Sequence, residues 1–361
     1  MVIKSNSVDH NIQNEELKYI LLWTKRKCFE CAPFYYMTEG DELFKRRSCP
    51  QQNCYVTENR TLLGNYSNFD AVLFNGRPIL RMKDADFPKY RSPRQSYVFV
   101  QLEAADRFPV CPVGFDDFFN DTMTYRLDSD FPWPYLEVVF RNGTVAGPKT
   151  NMTWISFGDM DNVTQEMKDK LSTKTKAAAW FVTNCHTRSG RETFVKNLQS
   201  ELLKYNLSVD VYGKCGTMKC PRSQFDVCAD KLENDYHFYL SFENSFNEDY
   251  ATEKLLTAIQ HRTVPVVFGG ANYTRLLPPN SYLNAKELGY KKLAETMAGL
   301  MQNRSGYEEM FRWTNHYEYR DAIASAFCAL CQSLHRGTAH SYRHFREWWY
   351  GAHFKKRCKI K

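Results

Sequence analysis

The stretch from residue 236 to residue 270 constrains the fold of this chain more than any other part of the sequence. An apolar, aromatic run at 237–242 predicts a buried strand, and a polar turn follows it. A helical segment at 250–261 and a second apolar strand at 264–268, which ends in two glycines, complete the pattern. Strand, turn, helix and strand in this order predict one unit of a parallel sheet, whose helix begins at the carboxyl edge of the strands.

The helix start in this unit is a candidate site for a diphosphate. Asp249 is the predicted N-cap, and Tyr250, Glu253 and Lys254 fall in the first helical turn beside it. Free backbone N–H groups and one lysine at such a position suit a diphosphate. The alternative from the residues alone is an ordinary strand–helix–strand unit with a solvated Glu-Lys pair.

The motifs of this stretch resemble the signature of the α1,3-fucosyltransferases that use GDP-fucose, glycosyltransferase family 10. They are FENS at 242–245, DY-x-TEKL at 249–255, VPVV-x-G at 264–269 and LPP at 277–279. The resemblance spans roughly residues 21–334. It implies an α/β fold of the GT-B type, in which two Rossmann-like domains face each other across a cleft and a C-terminal helix crosses back to the first domain.

A length of 361 residues also predicts two domains. We expect an acceptor-side α/β domain with a Cys-rich loop at 1–172, a GDP-fucose-binding Rossmann-like domain at 173–345, and a basic aromatic tail at 346–361. The boundary falls in the segment 141–176, which is rich in Asn, Gly, Thr, Ser and Lys. The net charge of +7 suits an anionic ligand, but no dense Lys/Arg run precedes the tail, which argues against nucleic-acid binding.

Other apolar runs predict the remaining strands and helices. Strands are predicted at 18–23, 69–74, 97–102, 177–182 and 209–213. Helices are predicted at 191–205, 286–302 and 307–334, the first on the spacing of Phe194, Leu198 and Leu202, and residues 27–59 read as a loop tied by disulfides.

Twelve cysteines and nine Asn-x-Ser/Thr sequons indicate the secretory route. The candidate glycosylation sites are Asn59, Asn65, Asn120, Asn142, Asn151, Asn162, Asn206, Asn272 and Asn303. The two C-x-x-C pairs, at Cys28 and Cys31 and at Cys328 and Cys331, allow a zinc site as an alternative, although no His lies at finger spacing.

The last helix of such two-domain enzymes commonly crosses back to the first domain. Cys328 and Cys331 are therefore predicted to bridge to the N-terminal cysteine loop, at Cys49 and Cys54.

No apolar stretch is long enough to span a bilayer, and the first residues do not form a signal peptide. Because a secretory protein needs an entry signal, we expect the chain to be the luminal part of a longer protein, or its true start to have been missed. The resemblance implies a type II membrane protein of the Golgi lumen, with an N-terminal anchor that we expect to lie outside this sequence.

Glu103 follows the predicted strand at 97–102, where parallel sheets gather their ligands. The residues alone leave open a general base, a helix cap or half of a surface ion pair; the resemblance implies the base. The next residues, Ala104-Ala105-Asp106, depart from the Ser-Pro that is usual in vertebrate members; this variant resembles invertebrate members, many of which fucosylate the innermost GlcNAc of N-glycans. Asp128-x-Asp130 matches a metal-binding motif of another glycosyltransferase architecture, but we interpret it as structural and predict no metal site.

The resemblance also implies a donor site and a second catalytic carboxylate. Glu253 would position the fucose and support its oxocarbenium-like charge. The donor-binding residues implied are Thr183, Arg191, Tyr239, Asn244, Tyr250, Glu253 and Lys254. The alignment leaves Arg188 open in place of Arg191.

The implied reaction is an inverting transfer of L-fucose from GDP-β-L-fucose to a GlcNAc hydroxyl in α1,3 linkage. No cofactor is required, and a divalent metal is at most stimulatory. The expected acceptor is the innermost GlcNAc of N-glycans. The alternatives are a Lewis-type enzyme acting on outer lactosamine antennae and a catalytically silent glycan-binding relative.

Overall fold

The computed structural model describes residues 16–25, 34, 37–322, 325–337, 344–351 and 354–359. The strands are β1 Lys18–Leu22, β2 Cys54–Thr57, β3 Ala71–Asn75, β4 Ser96–Gln101, β5 Asp121–Thr124, β6 Glu137–Phe140, β7 Val145–Gly147, β8 Lys176–Phe181, β9 Val209–Tyr212, β10 Tyr236–Phe242, β11 Val264–Phe268, β12 Leu283–Asn284 and β13 Tyr317–Arg320. The helices are α1 Glu42–Arg46, α2 Gln165–Leu171, α3 Arg191–Leu202, α4 Phe225–Asp235, α5 Glu253–Gln260, α6 Ala285–Gln302, α7 Arg304–Glu309, α8 Ser325–Arg336, α9 Phe345–Tyr350 and α10 Phe354–Arg357.

The front sheet is parallel and has the strand order β2-β1-β3-β4-β5. Its central strands are apolar on both faces because both faces are covered. Leu22 and Val98 pack into one core, and Leu21 and Phe99 pack into the other.

The back sheet is also parallel, with the order β12-β11-β10-β8-β9. The predicted strand–helix–strand unit is confirmed here, since β10 pairs with β11 from Phe238–Val264 to Phe242–Phe268. The two glycines after β11 let backbone approach backbone: a Cβ on Gly270 would lie 2.7 Å from the nitrogen of Asn247.

A third, antiparallel sheet with the order β13-β6-β7 joins segments that are far apart in sequence. The prediction of one helix over 307–334 is therefore wrong. Tyr317 and Tyr319 are buried and alternate with exposed residues, the period of a strand, and they pair with β6. The prediction of a plain loop over 27–59 is also wrong, because α1 and the buried edge strand β2 lie within it.

Helix α8 crosses back to the front sheet, where Phe327 and Leu330 enter its core beside Ile20. Two disulfides, Cys49–Cys328 and Cys54–Cys331, tie this helix to β2 and the segment before it, the same four cysteines that the sequence analysis selected. Because Cys328 and Cys331 are oxidised, this pair cannot form the alternative zinc site. Three further disulfides lie among the described residues: Cys111–Cys358, Cys185–Cys215 and Cys220–Cys228. Cys28 and Cys31 lie outside the described residues.

We call the part of the molecule built around the front sheet the front half, and the part built around the back sheet the back half. The C-terminal tail packs onto the front half. Phe345, Trp349 and Tyr350 of α9 are buried in the same core as Phe99. Across the part of the chain that is described, no helix combines the length and the apolarity needed to cross a bilayer.

Candidate functional site

Glu103 faces the back half of the molecule from the carboxyl end of β4. Its backbone N–H donates to the side chain of Gln101 at 3.0 Å. Its Oε2 lies 3.5 Å from the hydroxyl of Tyr250 and 3.7 Å from a guanidinium nitrogen of Arg107. With 34% of its side chain exposed, the Glu103 carboxylate is accessible to a ligand from which it could accept a proton.

Three tyrosines, Tyr125, Tyr135 and Tyr250, pack against one another where the two halves meet. Tyr250 makes edge contacts with Tyr125 at 5.0 Å and Tyr135 at 6.3 Å, measured between ring centroids. Tyr135 donates to the backbone oxygen of Leu102 at 2.7 Å, so it also fixes the residue before Glu103. Burial, with carboxylates from both halves nearby, raises the pKa of Tyr250 and of Tyr135 well above the usual value. Both hydroxyls therefore stay protonated.

The turn before α5 is anchored to the front half, and the prediction that Asp249 caps this helix is wrong. The helix begins at Glu253 with Thr252 as its N-cap. Asp249 instead adopts a positive φ of 55°. Its two carboxylate oxygens accept from the backbone nitrogen of Leu127 at 3.1 Å and from Arg275 at 3.0 Å. Asp249 therefore does not cap the helix; its carboxylate anchors the turn before α5 to Leu127 in the front half.

Glu243, in the FENS motif, is a site residue that the sequence analysis did not select. Its carboxylate is 1% exposed and accepts from the backbone nitrogen of Thr252 at 2.8 Å and its hydroxyl at 3.0 Å. It also accepts from Lys254 Nζ at 3.1 Å. Burial raises the pKa of Glu243, although the Lys254 ammonium opposes this. The sequence feature that could have identified it is its position: a glutamate directly after a buried strand, in the same strand–turn–helix unit as Thr252-Glu253-Lys254.

Lys254 and Glu253 form the charged rim of this turn, with Nζ 3.4 Å from the Glu253 carboxylate. Burial lowers the pKa of Lys254, but Glu243 and Glu253 together outweigh burial, so the net shift is upward and the side chain stays cationic. Burial raises the pKa of Glu253, yet Lys254 and the hydrogen bonds outweigh it, and the net shift is downward. Glu253 is 67% exposed and is therefore accessible to a ligand.

The two candidate arginines occupy different places. Arg191 is 3% exposed, and it donates to the backbone oxygens of Phe242 at 2.6 Å and Asn184 at 3.0 Å. Its guanidinium thus connects the end of β10 to the loop after β8. Its positive charge lowers the pKa of Lys254, but less than the two glutamates raise it. Arg188 is exposed and reaches the front half, where it donates to the backbone oxygen of Asp106.

The other predicted donor residues divide between the cleft edge and the core. Thr183 is exposed just after β8. Asn244 is half-buried just after β10, and its buried Oδ1 is among the polar atoms without a hydrogen-bond partner in the described chain. Such an acceptor suits a ligand donor. Tyr239 is buried in the back sheet, 5.4 Å from the Phe181 ring, and burial raises its pKa.

The Asp128-x-Asp130 motif has structural contacts. Asp128 accepts two hydrogen bonds from Arg126, at 2.8 and 2.7 Å. Asp130 accepts from the backbone nitrogen and the hydroxyl of Thr122, both at 2.8 Å. Among the described residues, the cluster with metal-ligand spacing is Cys54, Cys331 and His335, whose two sulfurs are joined in a disulfide.

The nine sequon asparagines differ in exposure. Eight are exposed: Asn59, Asn65, Asn142, Asn151, Asn162, Asn206, Asn272 and Asn303. Asn120 is half-buried, and its Oδ1 accepts from the backbone nitrogen of Tyr97 at 2.8 Å.

A cavity of about 570 Å³ opens at the carboxyl end of β1, lined by Trp23, Arg60, Tyr66 and Phe87 among others. It lies two strands from β4 in the front sheet, on the order of 10 Å at the usual strand spacing. None of its lining residues belongs to the turn that carries Lys254.

Two family profiles match the chain. The one described as "Fucosyltransferase, N-terminal" matches residues 15–136, and the one described as "Glycosyltransferase family 10 (fucosyltransferase) C-term" matches residues 171–348. Together they include Glu103 and the whole turn from Glu243 to Lys254.

The chain is also similar to individual proteins. It is 35% identical to Alpha-(1,3)-fucosyltransferase C of Drosophila melanogaster over 95% of this chain and 80% of that protein. It is 32% identical to Glycoprotein 3-alpha-L-fucosyltransferase A of the same organism over 95% of this chain and 63% of that protein. A solved structure described as "Crystal Structure of alpha1,3-Fucosyltransferase with GDP-fucose" matches with a TM-score of 0.51 at 14% identity, over 92% of this chain and 94% of that chain. This likeness confirms the predicted α/β fold.

Proposed function

This chain belongs to the glycosyltransferase family 10 fucosyltransferases, and we propose that it transfers L-fucose from GDP-β-L-fucose to O3 of a GlcNAc with inversion at the fucose anomeric carbon. The 3.5 Å approach of Glu103 to Tyr250 carries the proposal. It puts a carboxylate from the front half opposite the cationic turn of the back half, the two groups that a single-displacement transfer needs.

Glu103 is the proposed general base. As the acceptor hydroxyl attacks the anomeric carbon, its proton passes to the Glu103 carboxylate, the bond from that carbon to the diphosphate oxygen breaks, and GDP leaves with the bonding electrons. Attack from the face opposite GDP converts a β-linked donor into an α-linked product. An open carboxylate at the end of a parallel strand has the access that this step requires.

Lys254 is the proposed partner of the departing diphosphate. Because its pKa is raised, it is fully cationic at neutral pH, and Glu243 and Thr252 hold it in place before the donor binds. Preorganised charge of this kind stabilises the leaving group without reorganisation. Glu253, an exposed anion beside it, is placed to support positive charge on the fucose ring.

We propose the remaining donor contacts from the cleft edge. Thr183 and Asn244 can reach a ligand from the carboxyl ends of β8 and β10, and Tyr250 lies between donor and acceptor sides. Arg191 and Tyr239 would act mainly through the backbone and ring packing that they hold, since both are buried.

With Lys254 in this role, a divalent cation is not required. Transfer measured in the presence of EDTA should match transfer in its absence. A complete loss that added Mg²⁺ or Mn²⁺ restores would contradict this.

The proposed acceptor is the innermost GlcNAc of N-glycans, in agreement with the Ala104-Ala105-Asp106 segment after the base and with the glycoprotein acceptor in the name of one relative. The test is transfer to a panel of core N-glycans and lactosamine oligosaccharides, with NMR of the product linkage and anomeric configuration. We expect an α1,3-fucose on core glycans. Transfer confined to lactosamine would identify a Lewis-type enzyme, and glycan binding without GDP release would identify a catalytically silent relative.

We place the enzyme in the Golgi lumen. Its disulfides need an oxidising compartment, and eight exposed sequons suit a secreted surface. Localisation of the tagged full-length protein with a Golgi marker tests this placement.

A further inference from the structure

Residues 102–111, called here the base loop, connect Glu103 to Cys111 and have no regular secondary structure of their own. A base must be held within a fraction of an ångström to act well, and a displacement of about 1 Å can lower a rate about 100-fold. The contacts that hold this loop therefore bear on catalysis.

The C-terminal tail holds the base loop at two points. Asp106, three residues after Glu103, is 4% exposed, and one of its carboxylate oxygens accepts from Arg357. At the far end of the loop, Cys111 forms a disulfide with Cys358, and its backbone oxygen accepts from Arg346 at 2.8 Å.

The back half contacts the same residue of the loop. Arg188, in the loop between β8 and α3, donates to the backbone oxygen of Asp106. Asp106 thus receives one arginine from the tail and one from the half that carries Lys254. Asp106 is therefore a residue at which the tail, the base loop and the half that carries Lys254 meet.

An aromatic path supports the loop from beneath. Trp349 of α9 lies 5.8 Å from Tyr125, whose hydroxyl accepts from the backbone nitrogen of Ala105 at 3.3 Å. Tyr125 in turn contacts Tyr250, the residue nearest to the Glu103 carboxylate. The tail therefore reaches the base both through Asp106 and through packed rings.

We propose that Asp106 is a positioning residue for the base and that the tail, through Arg357 and Cys358, keeps it in place. Arg188 completes the arrangement from the opposite half. This inference rests on the proposed role of Glu103 and extends the active site to the last helices of the chain.

The test compares Arg357→Ala, Arg357→Lys and Asp106→Asn, with Lys356→Ala as the control because Lys356 is exposed on the same helix. For each variant we would measure kcat, the Kd of GDP and the thermal midpoint. Arg357→Ala and Asp106→Asn should lower kcat roughly 10- to 100-fold and leave the Kd of GDP within about twofold. Arg357→Lys should recover part of kcat, and Lys356→Ala should change nothing.

A wild-type kcat in Arg357→Ala would overturn the proposal. So would a joint decline of kcat, GDP affinity and thermal midpoint, which indicates general destabilisation.

Arg188→Ala is the second variant, chosen because Arg188 is exposed, and its thermal midpoint should stay that of the wild type. Lower kcat with unchanged GDP affinity supports positioning, whereas weaker GDP binding assigns Arg188 to the donor and removes it from this arrangement.

Glu103→Gln distinguishes a failure of the proposed function from a failure of the inference about the tail. If it transfers normally, the base assignment fails; if it is inactive while Arg357→Ala is fully active, the tail inference alone fails.

Discussion

At the scale of single residues, the cationic state of Lys254 depends on two carboxylates of different exposure. Glu243 is fully buried and supplies a fixed partner, whereas Glu253 is open to the cleft. In its proposed role, Lys254 would turn toward the diphosphate and keep its contact with Glu243. The buried carboxylate therefore holds the ammonium in place while the open one leaves room for a ligand.

Glu243→Gln tests this division. The amide keeps the shape but removes the charge, and it presents N–H groups to the donors Thr252 and Lys254. We expect GDP affinity to fall about 5- to 10-fold and the thermal midpoint to fall by a few degrees. Isothermal titration calorimetry and differential scanning calorimetry measure these effects. Glu248→Gln, at an exposed glutamate of the same turn, is the control; an equal loss there would show that any change in the turn weakens binding.

Asn120 should have the lowest glycan occupancy of the nine sequons. Its Oδ1 is committed to the backbone of Tyr97, and the sequon threonine, Thr122, is buried in β5. A glycan there would have to leave through packed structure, unlike one at exposed Asn142. Glycopeptide mass spectrometry of protein from a secretory host measures occupancy site by site. Full occupancy at Asn120 would show that this edge of the sheet is more open than its contacts indicate.

At the scale of elements, the sequence predicted what local burial determines. Strands covered on both faces are mainly apolar, so β1, β3, β4, β8, β10 and β11 were recognised to within a residue or two, as was the edge strand β9, which is followed by a glycine. Strand β13 was missed because its partner strand, β6, is far away in sequence: Tyr317 pairs with Phe140 and Tyr319 pairs with Val138. Pairing over such a distance leaves no periodic signal that outweighs the neighbouring helical residues.

The site was predicted in the same uneven way. Lys254 and Glu253 were selected from the family motif, and Glu103 was selected from its position after a strand together with the resemblance; their roles stay predictions. The helix start was misplaced because a carboxylate before an apolar run, Asp249, is the usual sign of an N-cap. Only the folded chain reveals that this side chain is used by Leu127 and Arg275 instead.

The junction between α2 and β8 contains a lysine with unusual titration. Lys174 is 5% exposed, and burial lowers its pKa to about 7, against the raising effect of Glu233 and Asp235 and with a lowering effect from Arg262. In unfolded chains a lysine keeps its proton up to about pH 10.4. Between these values the unfolded state binds more protons, so stability should increase with pH, by up to about 1.4 kcal/mol per pH unit.

Urea unfolding from pH 7 to pH 9 measures this slope. Lys174→Met has no proton to release and should remove it, whereas Lys170→Met, at an exposed lysine of α2, should retain it. Identical slopes in the wild type and in Lys174→Met would show that other groups govern this range.

At the scale of the whole molecule, two parallel disulfides connect the ends of the chain. Cys49–Cys328 spans 279 residues, and Cys54–Cys331 lies beside it. With one bridge intact, the other closes only a small extra ring. Chain entropy then predicts a cost of roughly 2.5 kcal/mol for replacing one pair by alanine and roughly 8 kcal/mol for replacing both.

Chemical denaturation of the two double variants and the quadruple variant measures this coupling. If the loss of unfolding free energy in the quadruple variant equalled the sum of the losses in the two double variants, the two disulfides would act independently, which would contradict this prediction. The two disulfides bear on function because they fix α8 to the sheet that carries Glu103, and α8 connects that sheet to the half that carries Lys254.

The most direct measurement of the central claim compares single-turnover transfer and GDP-fucose affinity in Glu103→Gln and Lys254→Ala. Glu103→Gln should transfer roughly 10²- to 10⁴-fold more slowly and bind the donor normally. Lys254→Ala should bind the donor about 10- to 100-fold more weakly. Normal transfer by Glu103→Gln, or a loss of donor binding equal to that in Lys254→Ala, would contradict a base on one side of the cleft facing a cationic turn on the other.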